Sequence, residues 1–355
     1  MKLQSLTCKI SKKNRKFAPK LKKMAKLYVF NPEHDLALAA NLSNFTAPHA
    51  GRKLRFDLGY IPALWAGDDD YVLVDDVKKA VRSYGRLRAK VGGTPKQFVD
   101  KSQLHRLYIN KVEPWGWDLA LRSFLLRNGV DIVPSEDEID VIRQLSHRRH
   151  AADLLSKLQM DGIIGISHEV DNIADIQQML GTYHRVVVKA PWSSSGRGVR
   201  FIADIIDGYQ ERWINNVIEK QGSVMVEPYY NKVKDFGMEF YAHEDGSVEY
   251  LGLSVFETRN GTYLDNIVAL EEEKTSLLTP YVSADLLQYV REEICRQMAS
   301  IIHRKYVGCF GVDMMIVKGD DRFLVHPCVE VNLRRTMGWI ALIPRFRGGL
   351  LLGNS

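Results

Sequence analysis

Val186-Val187-Val188-Lys189-Ala190-Pro191-Trp192-Ser193-Ser194-Ser195-Gly196-Arg197-Gly198-Val199-Arg200-Phe201-Ile202 has the residue pattern of a strand, a glycine-rich loop and a second strand. Three β-branched residues lead to Lys189, and Pro191 ends free pairing. Ser193, Ser194, Ser195, Gly196 and Gly198 then make a small-residue turn before apolar alternation resumes. Such a loop can wrap a phosphate. Its glycines let successive backbone N–H groups point inward, its serines add hydroxyl donors, and Lys189 and Arg197 supply positive charge. Serine-glycine turns between strands are common, so an ordinary hairpin is the competing reading of this stretch taken alone.

With 355 residues the chain can form two or three domains. No apolar run reaches membrane-spanning length, so a cytoplasmic protein with no membrane partner is expected. The formal charge of +6 is unevenly placed. Residues 1–23 hold nine Lys or Arg and no acid, which leaves 40 basic against 43 acidic side chains in the rest. This segment lacks the continuous hydrophobic region of a secretory signal. Residues 1–26 are therefore expected to be a basic leader, disordered or belonging to a misassigned start, with Met24 as the true start. A disordered arm that touches nucleic acid or an acidic surface is the disfavoured alternative. Cys8, Cys295, Cys309 and Cys328 show no paired spacing, which suits a reducing compartment.

Residues 27–146 alternate short strands with helical stretches, as in an α/β unit. The first strand, 27–30, runs into Asn31-Pro32-Glu33-His34-Asp35 and a Leu- and Ala-rich helix. Helix initiation accounts for this pattern, with Asn31 as N-cap and Pro32 at the first helical position. A sharper reading places Glu33, His34 and Asp35 beyond the carboxyl end of a strand, where ligands of open α/β sheets bind. Further strands are expected at 71–74 and 131–133, and helices at 78–90, 119–127 and 136–145. Ser135 with Glu138 fits a capping box. Residues 147–222 open on a helix bearing His147, Arg148, Arg149 and His150, and contain the glycine-rich stretch between two further helices. Residues 223–355 are strand-rich, with Asn260-Gly261 as a hairpin turn, a long helix at 285–305 and a last pair of strands at 311–317 and 323–331.

That last pair carries Asp313 on one strand and Glu330 and Asn332, two apart and so on one face, on the other. Acids in such apolar strands are costly to bury unless they bind something. Two carboxylates and an amide oxygen form a hard-oxygen set suited to Mg²⁺. A half-exposed sheet face with routine polar residues is the plainer alternative. Zinc is disfavoured, since Cys309, His326 and Cys328 contain no CxxC pair. Neither a G-x-x-x-x-G-K-[ST] loop nor a G-x-S-x-G elbow is present, and Asp235-Phe236-Gly237 lacks the catalytic loop of a protein kinase.

In this order, the elements resemble the ATP-grasp superfamily, which includes D-alanine:D-alanine ligase and glutathione synthetase. The likeness covers about residues 147–340, and Glu330-Val331-Asn332 is its most specific part. It implies an ATP-grasp fold of mixed α/β (α+β) class behind an N-terminal pre-ATP-grasp α/β domain. It also implies Arg149 (or Arg148), Lys189, Ser193, Ser194, Ser195, Gly196, Gly198, Glu227 as the adenine hinge and Asp235 as the ribose acid for ATP. Asp313, Glu330 and Asn332 would hold Mg²⁺, with Mn²⁺ as the alternative ion. Arg for Lys at the opening position, Asp for Glu at the ribose position and Pro228 in the hinge depart from the commoner pattern.

The resemblance implies a ligase that activates a carboxylate as an acylphosphate for attack by an amine. Arg334, Arg335 and Arg197 are the expected catalytic cations. Small-molecule or peptide-like carboxylates and amines are the expected partners, placed near Glu33, His34 and Arg259, and a homodimer is compatible. A small-molecule kinase on the same fold, or a non-catalytic ATP-binding module, is the alternative.

Overall fold

The computed structural model describes residues 25–193, 198–259 and 262–346. Ser194, Ser195, Gly196, Arg197, the Asn260-Gly261 turn and nearly all of the basic leader lie outside the described residues, as does the side chain of Arg259.

In the first of three sheets, β1 (Ala25–Val29), β2 (Tyr71–Leu73), β3 (Gln97–Val99) and β4 (Ile109–Pro114) lie parallel in the order β3-β2-β1-β4. Helices α1 (His34–Ala40) and α2 (His49–Leu58) join β1 to β2, and α3 (Val77–Val91) joins β2 to β3. Helices α4 (Leu119–Arg127) and α5 (Glu136–Leu145) follow β4. Alternate residues of β1 enter opposite cores. Leu27 and Val29 pack with Val112, Leu121 and Leu125, while Tyr28 packs with Val72, Tyr84 and Phe98. Strand order reverses at β1, so the carboxyl edge of this sheet is a topological switch point.

Local signals set these helices. Asp76 caps α3, Asp118 caps α4, and the Ser135–Glu138 capping box closes on α5 as expected. Residues 131–133, expected as a strand, are a loop that pairs with no strand, and Val133 packs against the core that holds Val112 of β4. Asn31 does not cap α1. It is buried and donates to the Gly116 carbonyl at 2.8 Å and to Asp118 Oδ2 at 3.0 Å, which ties the end of β1 to the segment after β4.

The second sheet is antiparallel. Its strands β5 (His168–Val170), β6 (Arg185–Lys189), β7 (Val199–Ala203) and β8 (Val224–Pro228) lie in the order β5-β8-β6-β7. Preceding it is α6 (Arg149–Lys157), and α7 (Ile173–Tyr183) and α8 (Gly208–Gln221) pack on it through Ile176, Leu180, Ile214 and Val217. The stretch at 186–202 is thus the β6–β7 hairpin, with Lys189 opposite Val199.

The third sheet holds β9 (Lys232–Ala242), β10 (Val248–Arg259), β11 (Thr262–Asn266), β12 (Gly308–Lys318) and β13 (Phe323–Asn332) in the antiparallel order β11-β10-β9-β12-β13. Helices α9 (Glu271–Ser276), α10 (Ala284–Ile302) and α11 (Met337–Phe346) complete the chain. The largest core lies here, and α6 joins it. Ala151, Leu154, Leu155 and Leu158 pack with Phe236, Phe240, Ile294, Phe310 and Val325. Although α6 precedes the second sheet in sequence, it is anchored in the third, and its first turn stands between the two. Among the described residues no helix is long and apolar enough to cross a membrane.

Candidate active site

Pairing of β12 with β13 sets Asp313 directly opposite Glu330 and Gly311 opposite Asn332. The register shifts just beyond, between Asp313 and Met315, a bulge that interrupts the ladder beside the two acids. Asn332 Nδ2 donates to Asp313 Oδ2 at 3.1 Å. Burial, and then the charge of Glu330, push the Asp313 carboxyl up to about 7. Two carboxylates facing each other in this way repel, and a cation between them would relieve both.

Arg334 and Arg335 follow Leu333 just past the end of β13, where the chain bends and the Arg334 N–H bonds the Asn332 carbonyl at 2.8 Å, and their side chains have different partners. Arg334 forms a two-pronged ion pair with Asp35 of α1, at 2.8 and 2.7 Å, and donates to Asn332 Oδ1 at 2.9 Å. Arg335, expected beside it as a second catalytic cation, is turned away. It donates to Glu113 Oε2 at 2.8 Å and to the Pro114 carbonyl, and its guanidinium stands 5.3 Å from the Trp339 ring and 5.8 Å from that of Trp65. Its part is to lock β4 to the third sheet.

At the start of α6 the two adjacent cations have different partners. Arg148 is buried, donates to the Ala190 carbonyl and to Ser193 Oγ (2.9 Å), and pairs with Glu330 Oε1 at 2.6 Å. Arg149 points the other way, to Glu169 of β5 at 2.7 Å. Helical geometry turns successive side chains by about 100°, so both cannot face the hairpin.

Lys189, at the end of β6, forms an ion pair with Glu227 of β8, and both side chains are buried. Asp235 lies on β9, where it pairs with Met315 of β12 and accepts from Lys232 Nζ at 2.7 Å; its charge adds to the upward push on Asp313. Gly198 closes against Ser193, where any Cβ would overlap the serine Cβ, so only glycine permits this approach. Trp192 is pinned from three sides. Its backbone N–H donates to Gln221 (3.0 Å), its indole N–H donates to the Arg143 carbonyl (2.9 Å), and its ring lies between the Arg143 guanidinium (3.7 Å) and the His147 edge (4.6 Å).

A small cleft lined by His34, Asp35, Trp192, Ser193, Glu330 and Asn332 lies where the three sheets meet, and Arg148 and Arg334 bond to residues of its lining. His34 lines it, whereas Glu33 faces a separate cavity. His34 is buried with Nδ1 3.5 Å from Asp118 Oδ2, and Glu33 pairs with Arg55. Asp35, which the sequence places with Glu33 and His34 beyond the end of the first strand, lines the cleft, whereas Glu239 was not singled out from the sequence. Glu239, on β9, is buried, and its Oε2 has no hydrogen-bond partner. Burial pushes its carboxyl up to about 8 against a hydrogen bond from Thr336, with Asp313 adding to the rise. Gly311 and Gly338 wall it in, and a Cβ at Gly338 would overlap its carboxylate. The signal for it was present in Phe236-Gly237-Met238-Glu239-Phe240, an acid in an apolar strand like Asp313.

Among the described residues no group of three or more His, Cys, Asp or Glu side chains is arranged to hold a metal. Asp313, Glu330 and Asn332 are two carboxylates and an amide, a donor set that fits Mg²⁺ bound through one or two carboxylates and completed by phosphate and water.

No protein-family model and no curated protein matches the chain. Solved structures do. A biotin carboxylase–βγ-ATP complex from Campylobacter jejuni is similar over 94% of this chain and 73% of its own, at 13% identity and a TM-score of 0.51. N5-carboxyaminoimidazole synthetase from Staphylococcus aureus complexed with ADP is 16% identical over 90% of this chain and 73% of its own, with a TM-score of 0.48. D-alanyl-alanine synthetase A from Vibrio cholerae is 12% identical over 88% of this chain and 89% of its own, also with a TM-score of 0.48. The three sheets, their order and the first of these likenesses establish that the chain has the ATP-grasp fold, with a parallel α/β unit ahead of it.

Proposed function

We propose that this protein is an ATP- and Mg²⁺-dependent ligase that activates a carboxylate as an acylphosphate for attack by an amine. The observation that carries the reading is the meeting of Arg148, Glu330, Asn332 and Arg334 in the cleft beneath the β6–β7 hairpin, with Asp313 facing Glu330. Lys189 and Arg148 would hold the inner phosphates, and Glu227 and Asp235 the adenosine. Mg²⁺ on Asp313, Glu330 and Asn332 would neutralise charge on the transferring phosphoryl group. Arg334, whose guanidinium plane Asp35 fixes, would stabilise an oxyanion on the acyl carbon. Closure of the hairpin stretch over the γ-phosphate would exclude water.

The test is incubation with Mg-ATP and pooled amino acids or short peptides, following ADP, free phosphate and new masses. The ligase should release phosphate in step with a product heavier by the joined amine. A phosphorylated product without free phosphate makes it a kinase. ATP affinity unchanged in Glu330→Gln, together with no acceptor-dependent turnover, overturns the proposal.

A further inference from the structure

A second and larger cavity, of about 620 Å³, opens at the carboxyl ends of β1, β2 and β3, with α1, α2 and α4 as its walls. Its size suits a small ligand, and its chemistry is graded from floor to mouth. On the floor lies Glu33, more than nine-tenths buried: one carboxylate oxygen is held by Arg55, and Oε2 has no hydrogen-bond partner. Asp118, also on the floor, is already satisfied by Leu121 N and Asn31 Nδ2. The walls are apolar, from Phe30, Phe45, Leu73 and Phe124. At the mouth Arg52, Lys101 and Arg127 are exposed and form no ion pair with a described acid. The acids near them are engaged, Asp75 with Arg55 at 3.4 Å and Asp100 with Ser102.

A buried acceptor left unpaired costs free energy until something donates to it. From this arrangement we infer that the cavity binds an amphipathic zwitterion, with its primary amine on Glu33, its apolar body against the phenylalanines and its anionic end at Arg52, Lys101 and Arg127. An apolar amino acid or short apolar peptide has this chemistry. Resting on the ligase reading, the same molecule supplies the attacking amine. His34 stands between the two sites: its Nδ1 is 3.5 Å from Asp118, which lines the cavity, and His34 itself lines the cleft that holds Glu330 and Asn332. The amine end of the ligand therefore lies on the side of the cavity nearest the phosphoryl-transfer site.

Calorimetry on the full chain without nucleotide tests the site, with L-phenylalanine, L-alanyl-L-phenylalanine and the N-acetylated dipeptide as probes. The free-amine probes should bind, and N-acetylation should weaken binding at least about tenfold. Glu33→Gln, and separately the combined Arg52→Ala, Lys101→Ala, Arg127→Ala variant, should each weaken it by a similar factor with Mg-ATP affinity unchanged. The second variant changes only exposed side chains, so it keeps the test sound if Glu33→Gln folds poorly. No binding of any probe at millimolar concentration, or equal affinity in the wild type and the exposed-cation variant, overturns the assignment. Binding of the probes with no ADP formed when Mg-ATP and pooled carboxylates are added leaves the cavity assignment standing and removes the ligase reading. ATP turnover with an acceptor whose KM ignores both variants does the reverse.

Discussion

Asp35 grips Arg334 with both carboxylate oxygens across 299 residues of sequence, and Arg334 in turn holds the amide oxygen of Asn332. The first helix of the chain thereby orients a proposed metal ligand on its last strand. Burial works against the charge of Asp35, but the Arg334 guanidinium outweighs it and holds the carboxyl below its usual range. Asp35→Asn should release Arg334 and let Asn332 turn, weakening Mg²⁺ dependence of turnover by about 10- to 100-fold. The lost pairing should also cost about 3 kcal/mol, read from chemical denaturation. Unchanged Mg²⁺ dependence would show that Asn332 is positioned without Arg334.

Lys189 and Glu227 are a buried pair, so replacing one alone confounds binding with folding. Lys189→Met should destabilise the fold by about 3–5 kcal/mol, because Glu227 is left charged and buried. The double variant Lys189→Met, Glu227→Gln should recover most of that stability. Its ATP affinity should nonetheless stay about ten- to a hundredfold down, since the phosphate cation is still missing. Recovery of affinity along with stability would place Lys189 outside the nucleotide site.

Arg148 and Arg149 provide an internal control. Arg148→Ala removes donors to Ala190, Ser193 and Glu330, and should depress turnover at least about tenfold. Arg149→Ala breaks a partly exposed pair with Glu169 and should leave nucleotide affinity unaltered, with a stability change within about 0.5 kcal/mol. Fluorescent-nucleotide titration of the two variants distinguishes them.

Glu239 predicts a pH dependence with a defined sign. Its folded-state carboxyl titrates near 8, above the ordinary range, so the folded chain holds a proton there that the unfolded chain gives up. Stability from this group is therefore full in acid and is lost as pH rises from about 4.5 to 8, at roughly 1.4 kcal/mol per pH unit within that window. Glu239→Gln should remove that slope and raise the melting temperature at pH 9 more than at pH 6. A slope unchanged in the variant would assign the effect to another group.

Legibility from sequence followed the range of the interactions. The Ser135–Glu138 capping box, the β6–β7 hairpin and the placing of Asp313 and Glu330 on the two strands of one hairpin depend on neighbours in sequence or on period-2 alternation, and these were readable, whereas the pairing that sets Asp313 opposite Glu330 was not. Nor were two short strands: β3 and β5 have three residues each and no continuous apolar run like the Tyr71-Val72-Leu73-Val74 that marked the equally short β2, and each pairs with the edge of a neighbouring strand. The orientations of Arg148 and Arg149, and of Arg334 and Arg335, were equally hidden. Adjacent cations carry the same local signal, and only distant partners, Glu330, Asp35 and Glu113, decide which way each turns.

Trp192 has a consequence for communication between the units. Its indole is fastened to α5 of the N-terminal unit through Arg143, while its backbone is fastened to α8 of the second sheet through Gln221. The stalk of the β6–β7 hairpin is thus tied to both at once. By linkage, a ligand whose affinity depends on how those bodies are seated must tighten or loosen their seating to the same degree. The indole sits at that seam beneath a guanidinium, so its emission, isolated by comparison with Trp192→Phe, is a built-in optical gauge of the coupling between nucleotide and domain docking.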